Sequence, residues 1–292
     1  MATAPFPPYL TPQALTSFIQ SALAEDVGDG DHTSLATVDD QRQSTVKLLV
    51  KDSGIIAGVE LARQIMMYID SSIELQEFIH DGESIKAGDI AFVAIGNARN
   101  LLMSERLVLN CMQRMSGIAT QTHRLCRLLE DTPVKLMDTR KTTPNFRLAE
   151  KWAVLIGGGV NHRFGLFDKI MIRDNHVDLA GGIGPAIQRT RDYLARTGKE
   201  LQIEVETRNL QEVDEVLTAG GVDIIMLDNM TPAQLKAAVE RIDGACLVEA
   251  SGRITEQNLR EVAMTGVDYI SMGALTHSVK SLDLSLKVFY PE

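Results

Sequence analysis

The chain has 292 residues, of which 45% are hydrophobic and 23% charged, and a formal net charge of −10 at pH 7. That composition excludes a disordered chain, and the acidity excludes the broad basic face that nucleic acid requires. No apolar run approaches the roughly 20 residues of a membrane helix, and the start, MATAPFPPYLTP, has neither region of a signal peptide, so no membrane association is expected.

After a proline-rich lead, Thr11-Pro12 reads as an N-cap with proline at the first helical position. Leu15, Phe18, Ile19, Ala22 and Leu23 follow at helical spacing, predicting a helix over 12–25. The acidic turn Glu25–Asp31 lacks the later bidentate Glu of a calcium loop. From Ser44 to Asn97 short strands (45–51, 74–80, 84–86, 90–95) surround one helix at 59–69, with Asp81-Gly82 and Gly88-Asp89 as turns. Residues 101–130 read as a long helix, expected to bend near Ser116-Gly117. Cys111, Cys126 and Cys246 are odd in number and widely spaced, which suits buried thiols in a reducing cytoplasm better than disulfides or zinc.

From Val134 the rhythm changes to alternating strands and helices. Strand-like runs fall at 134–138, 169–173, 201–206, 222–228, 245–250 and 268–272, with helical runs at about 145–156, 184–197, 209–219, 232–242 and 255–265. Alternating βα units predict parallel strands closing toward a barrel. Six strand signals fall short of the eight of a full (β/α)₈ barrel, so the barrel is either incomplete or holds strands the pattern does not reveal. The alternating tail from Leu284 to Tyr290 reads as a strand returning to the first layer.

Against this acidic background, residues 137–176 carry seven cations (Arg140, Lys141, Arg147, Lys151, Arg163, Lys169, Arg173) and four carboxylates. A local cationic island suggests a small, strongly anionic ligand. In such barrels functional side chains gather at the C-terminal ends of strands. Those ends read Asp138-Thr139-Arg140-Lys141, Arg173-Asp174-Asn175, Glu204 with Glu206, Asp228-Asn229, Glu249 with Ser251-Gly252, and Ser271-Met272-Gly273. Glu204 and Glu206 share one strand face. The late Ser-Gly pairs suit phosphate, the acids suit hydroxyls and Mg²⁺, and the cations suit a carboxylate-bearing partner. Phosphoribosyl pyrophosphate (PRPP) with an acidic acceptor meets all three demands.

The runs Asp138–Pro144, GGGVNHRFGL and Arg173–His176 resemble quinolinate phosphoribosyltransferase (the carboxylating nicotinate-nucleotide pyrophosphorylase), a type II phosphoribosyltransferase. EDVGDGDHTS, Ser104-Glu105-Arg106, IEVE, LDN, EASG and SMGALTHS resemble further blocks of that family in its order. The resemblance implies an α/β fold: an N-terminal α/β sandwich over 1–130, with the tail 281–292 returning to it, and an incomplete (β/α) barrel of about six parallel strands over 131–280. It implies a cytoplasmic, decarboxylating glycosyltransferase of NAD biosynthesis, working with Mg²⁺ as a homodimer or hexamer. Carried over, Arg140, His162 and Arg163 hold the quinolinate carboxylates beside Thr139 and Arg173. Arg106 comes from the neighbouring subunit, and Lys141 lies near the phosphates. Glu206 and Asp228 lie by the ribose hydroxyls and the metal. Ser251, Gly252, Arg253, Ser271 and Gly273 form the phosphate end. Lys141, Glu206 and Asp228 are the expected catalytic groups. Two residues depart from the family pattern: Arg173 stands where lysine is usual, and Arg253 where glycine is. Another acidic acceptor, such as nicotinate, and a catalytically silent metabolite-binding homologue are the competing expectations.

Overall fold

The computed structural model describes residues 6–289; residues 1–5 of the proline-rich lead and Tyr290 with the two residues after it lie outside the described residues. The first half runs α1 (Pro12–Val27), α2 (His32–Thr37), β1 (Gln43–Val50), β2 (Gly54–Ile55), α3 (Val59–Ile69), β3 (Glu74–Glu77), β4 (Ser84–Ile85), β5 (Ile90–Asn97) and α4 (Ala98–Arg127). Then follow β6 (Lys135–Met137), α5 (Arg147–Ile156), β7 (Ile170–Ile172), α6 (Asp174–Ala180) and α7 (Ile183–Thr197). The regular βα steps are β8 (Ile203–Thr207), α8 (Leu210–Ala219), β9 (Ile224–Asp228), α9 (Pro232–Ile242), β10 (Leu247–Ser251), α10 (Glu256–Ala263) and β11 (Tyr269–Ser271). The chain ends in α11 (Ala274–His277) and β12 (Leu284–Val288).

Local chemistry starts these helices where the sequence predicts. Thr11 Oγ1 accepts from the Ala14 amide at 3.1 Å ahead of Pro12. Thr231 and Gln234 cap α9 reciprocally, and Asn209 caps α8. The short helices α2, α6 and α11 carry too little periodicity to be read from sequence.

The chain forms two compact units. One contains the residues up to His123, Thr142–Gly158 and the chain from Ala274 onward; the other contains Arg124–Lys141 and Gly159–Gly273. The first unit is built on an antiparallel sheet of order β12-β1-β5-β3. Its last strand is the returning tail, with Leu286 opposite Leu48. This division departs from one at 130 and 280, because α5 and α11 pack with the N-terminal elements. The fully buried Glu150 accepts from Arg114 Nη2 at 2.9 Å, and the Trp152 ring stands edge-on to Phe6 at 5.6 Å. α4 runs as one continuous helix through Ser116-Gly117. Both small residues serve packing. Ser116 Oγ accepts from the Ala57 amide at 2.9 Å, and a Cβ at Gly117 would collide with the Lys280 carbonyl.

The second unit holds six parallel strands in the order β6-β11-β10-β9-β8-β7. All six were legible as apolar runs. The helices between them pack on one face, where Val205, Ile225, Leu227, Val248, Ala250 and Ile270 are fully buried. The ladder stops at β6 and β7, and beyond β6 a single bridge joins Met137 to Val160, so the barrel is incomplete.

Candidate active site

Register fixes which side chains share the inner face of the parallel sheet. Glu206 is opposite Met226, Asp228 opposite Ser251, and Ser271 opposite Met137. Side chains at matched positions point to one face. Arg173, Glu206, Asp228, Ser251 and Ser271 therefore converge at the C-terminal end of the strands, as the sequence reading expected. Arg173 Nε lies 3.5 Å from Glu206 Oε2. Burial first, and then the charge of Asp228, raise the Glu206 carboxyl above its ordinary range.

One layer deeper on the same face lies a buried ionic cluster. Glu204 and Glu249 are fully buried. His162 Nε2 lies 3.1 Å from Glu204 Oε2 and 3.5 Å from Glu249 Oε2, and Lys169 Nζ donates to Glu204 at 3.2 Å. His162 belongs to the edge beyond β6, yet it touches carboxylates of β8 and β10; the sheet must curl to allow this, placing these groups inside the barrel. Burial alone would raise Glu204, but the hydrogen bond from His162, with the Lys169 ammonium, outweighs it and holds the carboxyl below its ordinary range. Burial and the adjacent Glu204 charge push Glu249 well above. Of two carboxylates in one low-dielectric space, Glu204 is pushed toward its charged form and Glu249 toward its neutral form.

The cationic loop is held by Asp138, the fully buried acid just past β6. It accepts from the His162 amide at 2.8 Å and from Asn161 Nδ2 at 2.7 Å. This clamp sets Arg163 beside Arg140 and Arg173. Burial, and then the charge of Arg140, with that of Arg173 further down, depress the Arg163 guanidinium below its ordinary range. Three guanidiniums that repel one another in a half-buried space match a ligand with more than one carboxylate. The turn carrying Thr139 and Lys141 closes on itself, the Lys141 amide donating to Thr139 Oγ1 at 3.0 Å.

Around Asn229 and Gly252-Arg253, after β9 and β10, the backbone is strained. Asn229 and Arg253 adopt φ of 56° and 52°, and Gly252 has φ 87°. A Cβ on Gly252 would meet the Asn229 carboxamide and stand 2.9 Å from the Asn229 amide nitrogen, so only glycine fits between the two loops. Gly273 follows Ser271 directly after β11. Arg106 is exposed on α4 in the first unit. Sequence reasoning named Glu204, Glu249 and Lys169 as strand-end or neighbouring charges but did not read the cluster they form; the signal was an acid at the centre of an apolar strand.

Two oxygen-donor carboxylates facing each other at Glu206 and Asp228 fit Mg²⁺. Among the described residues, His162, Glu204 and Glu249 also bring ligating atoms within 4.8 Å of one another. That set does not fit Mg²⁺, because it includes a ring nitrogen and the Lys169 ammonium already sits on Glu204. No helix among the described residues is long and apolar enough to cross a membrane.

An incomplete parallel barrel with cations, carboxylates and serines gathered at its strand ends fits a phosphoribosyltransferase-like α/β enzyme. Comparison with known proteins makes this specific. The profile described as Quinolinate phosphoribosyl transferase, N-terminal domain, matches residues 31–116, and that of its C-terminal domain matches residues 118–287. The chain belongs to the quinolinate phosphoribosyltransferase family. It is 44% identical to a decarboxylating quinolinate phosphoribosyltransferase of Nicotiana glauca, named as mitochondrial, over 97% of this chain and 84% of the relative. It is 41% identical to the probable nicotinate-nucleotide pyrophosphorylase of Bacillus subtilis, over 94% and 93%. Among solved structures, NadC from Streptococcus pyogenes superposes with a TM-score of 0.88 at 40% identity, covering 96% of this chain and 99% of that one.

Proposed function

We propose that this protein transfers the phosphoribosyl group of PRPP to quinolinate with loss of CO₂, giving nicotinate mononucleotide and pyrophosphate. The observation that carries the reading is the shared inner face: cations at Arg173 and the Arg140–Arg163 loop, acids at Glu206 and Asp228, and hydroxyls at Ser251 and Ser271 on neighbouring strands. The family and its decarboxylating relatives agree with it.

In this reading Arg140, Arg163 and Arg173 hold the two carboxylates, beside Thr139. Glu206 and Asp228 orient the ribose hydroxyls and stabilise the positive charge that develops at C1 as pyrophosphate leaves. Lys141 offsets charge on the leaving group. Ser251, Gly252, Ser271 and Gly273 offer hydroxyl and backbone donors to the 5′-phosphate, and Arg253 adds a cation there. Glu206 and Asp228 would hold Mg²⁺, which when bound neutralises pyrophosphate charge. Once the ring nitrogen is quaternary it stabilises the carbanion left at C2 as the 2-carboxylate departs as CO₂, and that carbon then takes a proton from solvent, so no side-chain nucleophile is needed. Positioning of the two substrates can supply about 7–11 kcal/mol of the barrier.

We place Arg106 at the neighbouring subunit's pocket in a homodimer or hexamer, and the enzyme in a reducing cytoplasm, consistent with three free cysteines. The deciding experiment incubates the protein with quinolinate, PRPP and Mg²⁺ and follows nicotinate mononucleotide and CO₂ together. Equal release of both supports the assignment. Turnover of nicotinate without CO₂, or no turnover, rejects it.

A further inference from the structure

Four hydrogen bonds form a closed circuit beneath the pocket. The Arg163 amide donates to His162 Nδ1 at 2.7 Å. That ring nitrogen is therefore an acceptor, and the proton of a neutral ring sits on Nε2, which lies 3.2 Å from Glu204 Oε1. Glu204 Oε2 accepts from Lys169 Nζ at 3.2 Å. The Lys169 carbonyl in turn accepts from Arg163 Nη1 at 3.3 Å. Arg163 is thus pinned at its backbone and at one end of its guanidinium. Its Nε and Nη2 have no hydrogen-bond partner among the described residues.

We infer that Lys169 is a positioning residue for the dicarboxylate: through Glu204 and His162 on one side, and its own carbonyl on the other, it sets the guanidinium of Arg163. The inference rests on the proposed acceptor and deepens it. Pinning is needed because Arg140 and Arg173 repel Arg163, and an unheld guanidinium would swing away from them. The ammonium holds the circuit because Glu204 is fully buried; without Lys169 that carboxylate loses the ammonium that offsets its charge, and it gains a proton or shifts. Both ring nitrogens of His162 face protein groups, so His162 also acts on substrate through Arg163. At 6% side-chain exposure it is held inside the barrel.

The test is Lys169→Met, which keeps the stem and removes the charge. Quinolinate KM should rise about tenfold or more, and calorimetric binding of quinolinate should weaken by the same factor. PRPP KM should stay within about twofold, and Lys169→Arg should recover most of the loss. Where Lys169→Met does not fold, Glu204→Gln interrupts the same circuit from the acid side and should show the same split. Quinolinate binding unchanged within about twofold, or both KM values rising together as Tm falls, overturns the inference. If the wild-type protein neither turns over nor binds quinolinate, the proposed function fails and takes this inference with it. If the wild type binds and the variant binds equally, the inference fails alone.

Discussion

Glu204 and Glu206 are the same residue type on one face of β8, two positions apart, yet the protein treats them oppositely. The deeper one is fully buried and is satisfied from within the protein by His162 and Lys169. The upper one shares its space with Asp228, and Arg173 lies at 3.5 Å with its side chain half exposed. At the floor the charge of Glu204 is met from within the protein, whereas at the rim Glu206 and Arg173 stand partly exposed at the mouth. Rim charges are then available to a ligand, and floor charges hold the rim in place.

If that division is right, rim substitutions cost activity without stability, and floor substitutions do the reverse or act through geometry. The largest effect is expected at the cations. Arg140→Ala or Arg163→Ala should lower kcat/KM for quinolinate by about 100-fold or more, since truncating one side of a charge pair typically costs about 2–5 kcal/mol. Thermal unfolding should move little. Activity within error of wild type would remove the pocket from this face. Glu206→Gln or Asp228→Asn should come next, lowering kcat by roughly 100-fold with quinolinate binding nearly unchanged, as for loss of one transition-state stabilising group. A rise in quinolinate KM with kcat preserved would reassign those acids to acceptor binding.

Smaller effects test assembly and backbone. Mixing inactive Arg106→Ala and Arg140→Ala subunits should restore up to about a quarter of wild-type activity if each site borrows Arg106 from its twin, because a mixed dimer retains one intact site. No recovery despite demonstrated subunit exchange would place Arg106 outside the site. Gly252→Ala should cost about 1–3 kcal/mol of stability through positive φ and raise PRPP KM as the Asn229 loop is displaced. An unchanged Tm and PRPP KM would show that the loop yields freely.

The fold was largely legible because strand runs and helix caps are local signals: all six parallel strands and the Thr11 cap of α1 were read from the sequence. The shared face of Arg173, Glu206, Asp228, Ser251 and Ser271 was legible too, since alternation along a strand is local and parallel register carries it across. Long-range partnerships were not legible. The placement of α5 with the first unit depends on Glu150 meeting Arg114, 36 positions away, and the circuit under Arg163 depends on Glu204 meeting a histidine 42 positions earlier. Gly117 reads as a hinge until the Lys280 carbonyl is seen against it. A residue's type states what it is able to bond; only the closed barrel states which partner arrives.

The smallest predicted effect bears most directly on the floor. Glu249 is buried beside the charged Glu204, and its carboxyl is raised well above the ordinary 4.5. A carboxyl that binds its proton more tightly folded than unfolded adds stability that is complete below the unfolded value. That contribution is lost as pH rises through the folded value. Glu249→Gln mimics the protonated form at every pH. Its Tm should therefore fall less than the wild type's as pH rises above the ordinary carboxylate range. This sign is opposite to that expected if Glu249 were an ionised partner of His162, where loss of the charge would destabilise most at high pH. A Tm that drops for Glu249→Gln chiefly above neutrality would mean that the floor carries two negative charges, and that His162 and Lys169 together, rather than Glu204 alone, set its balance.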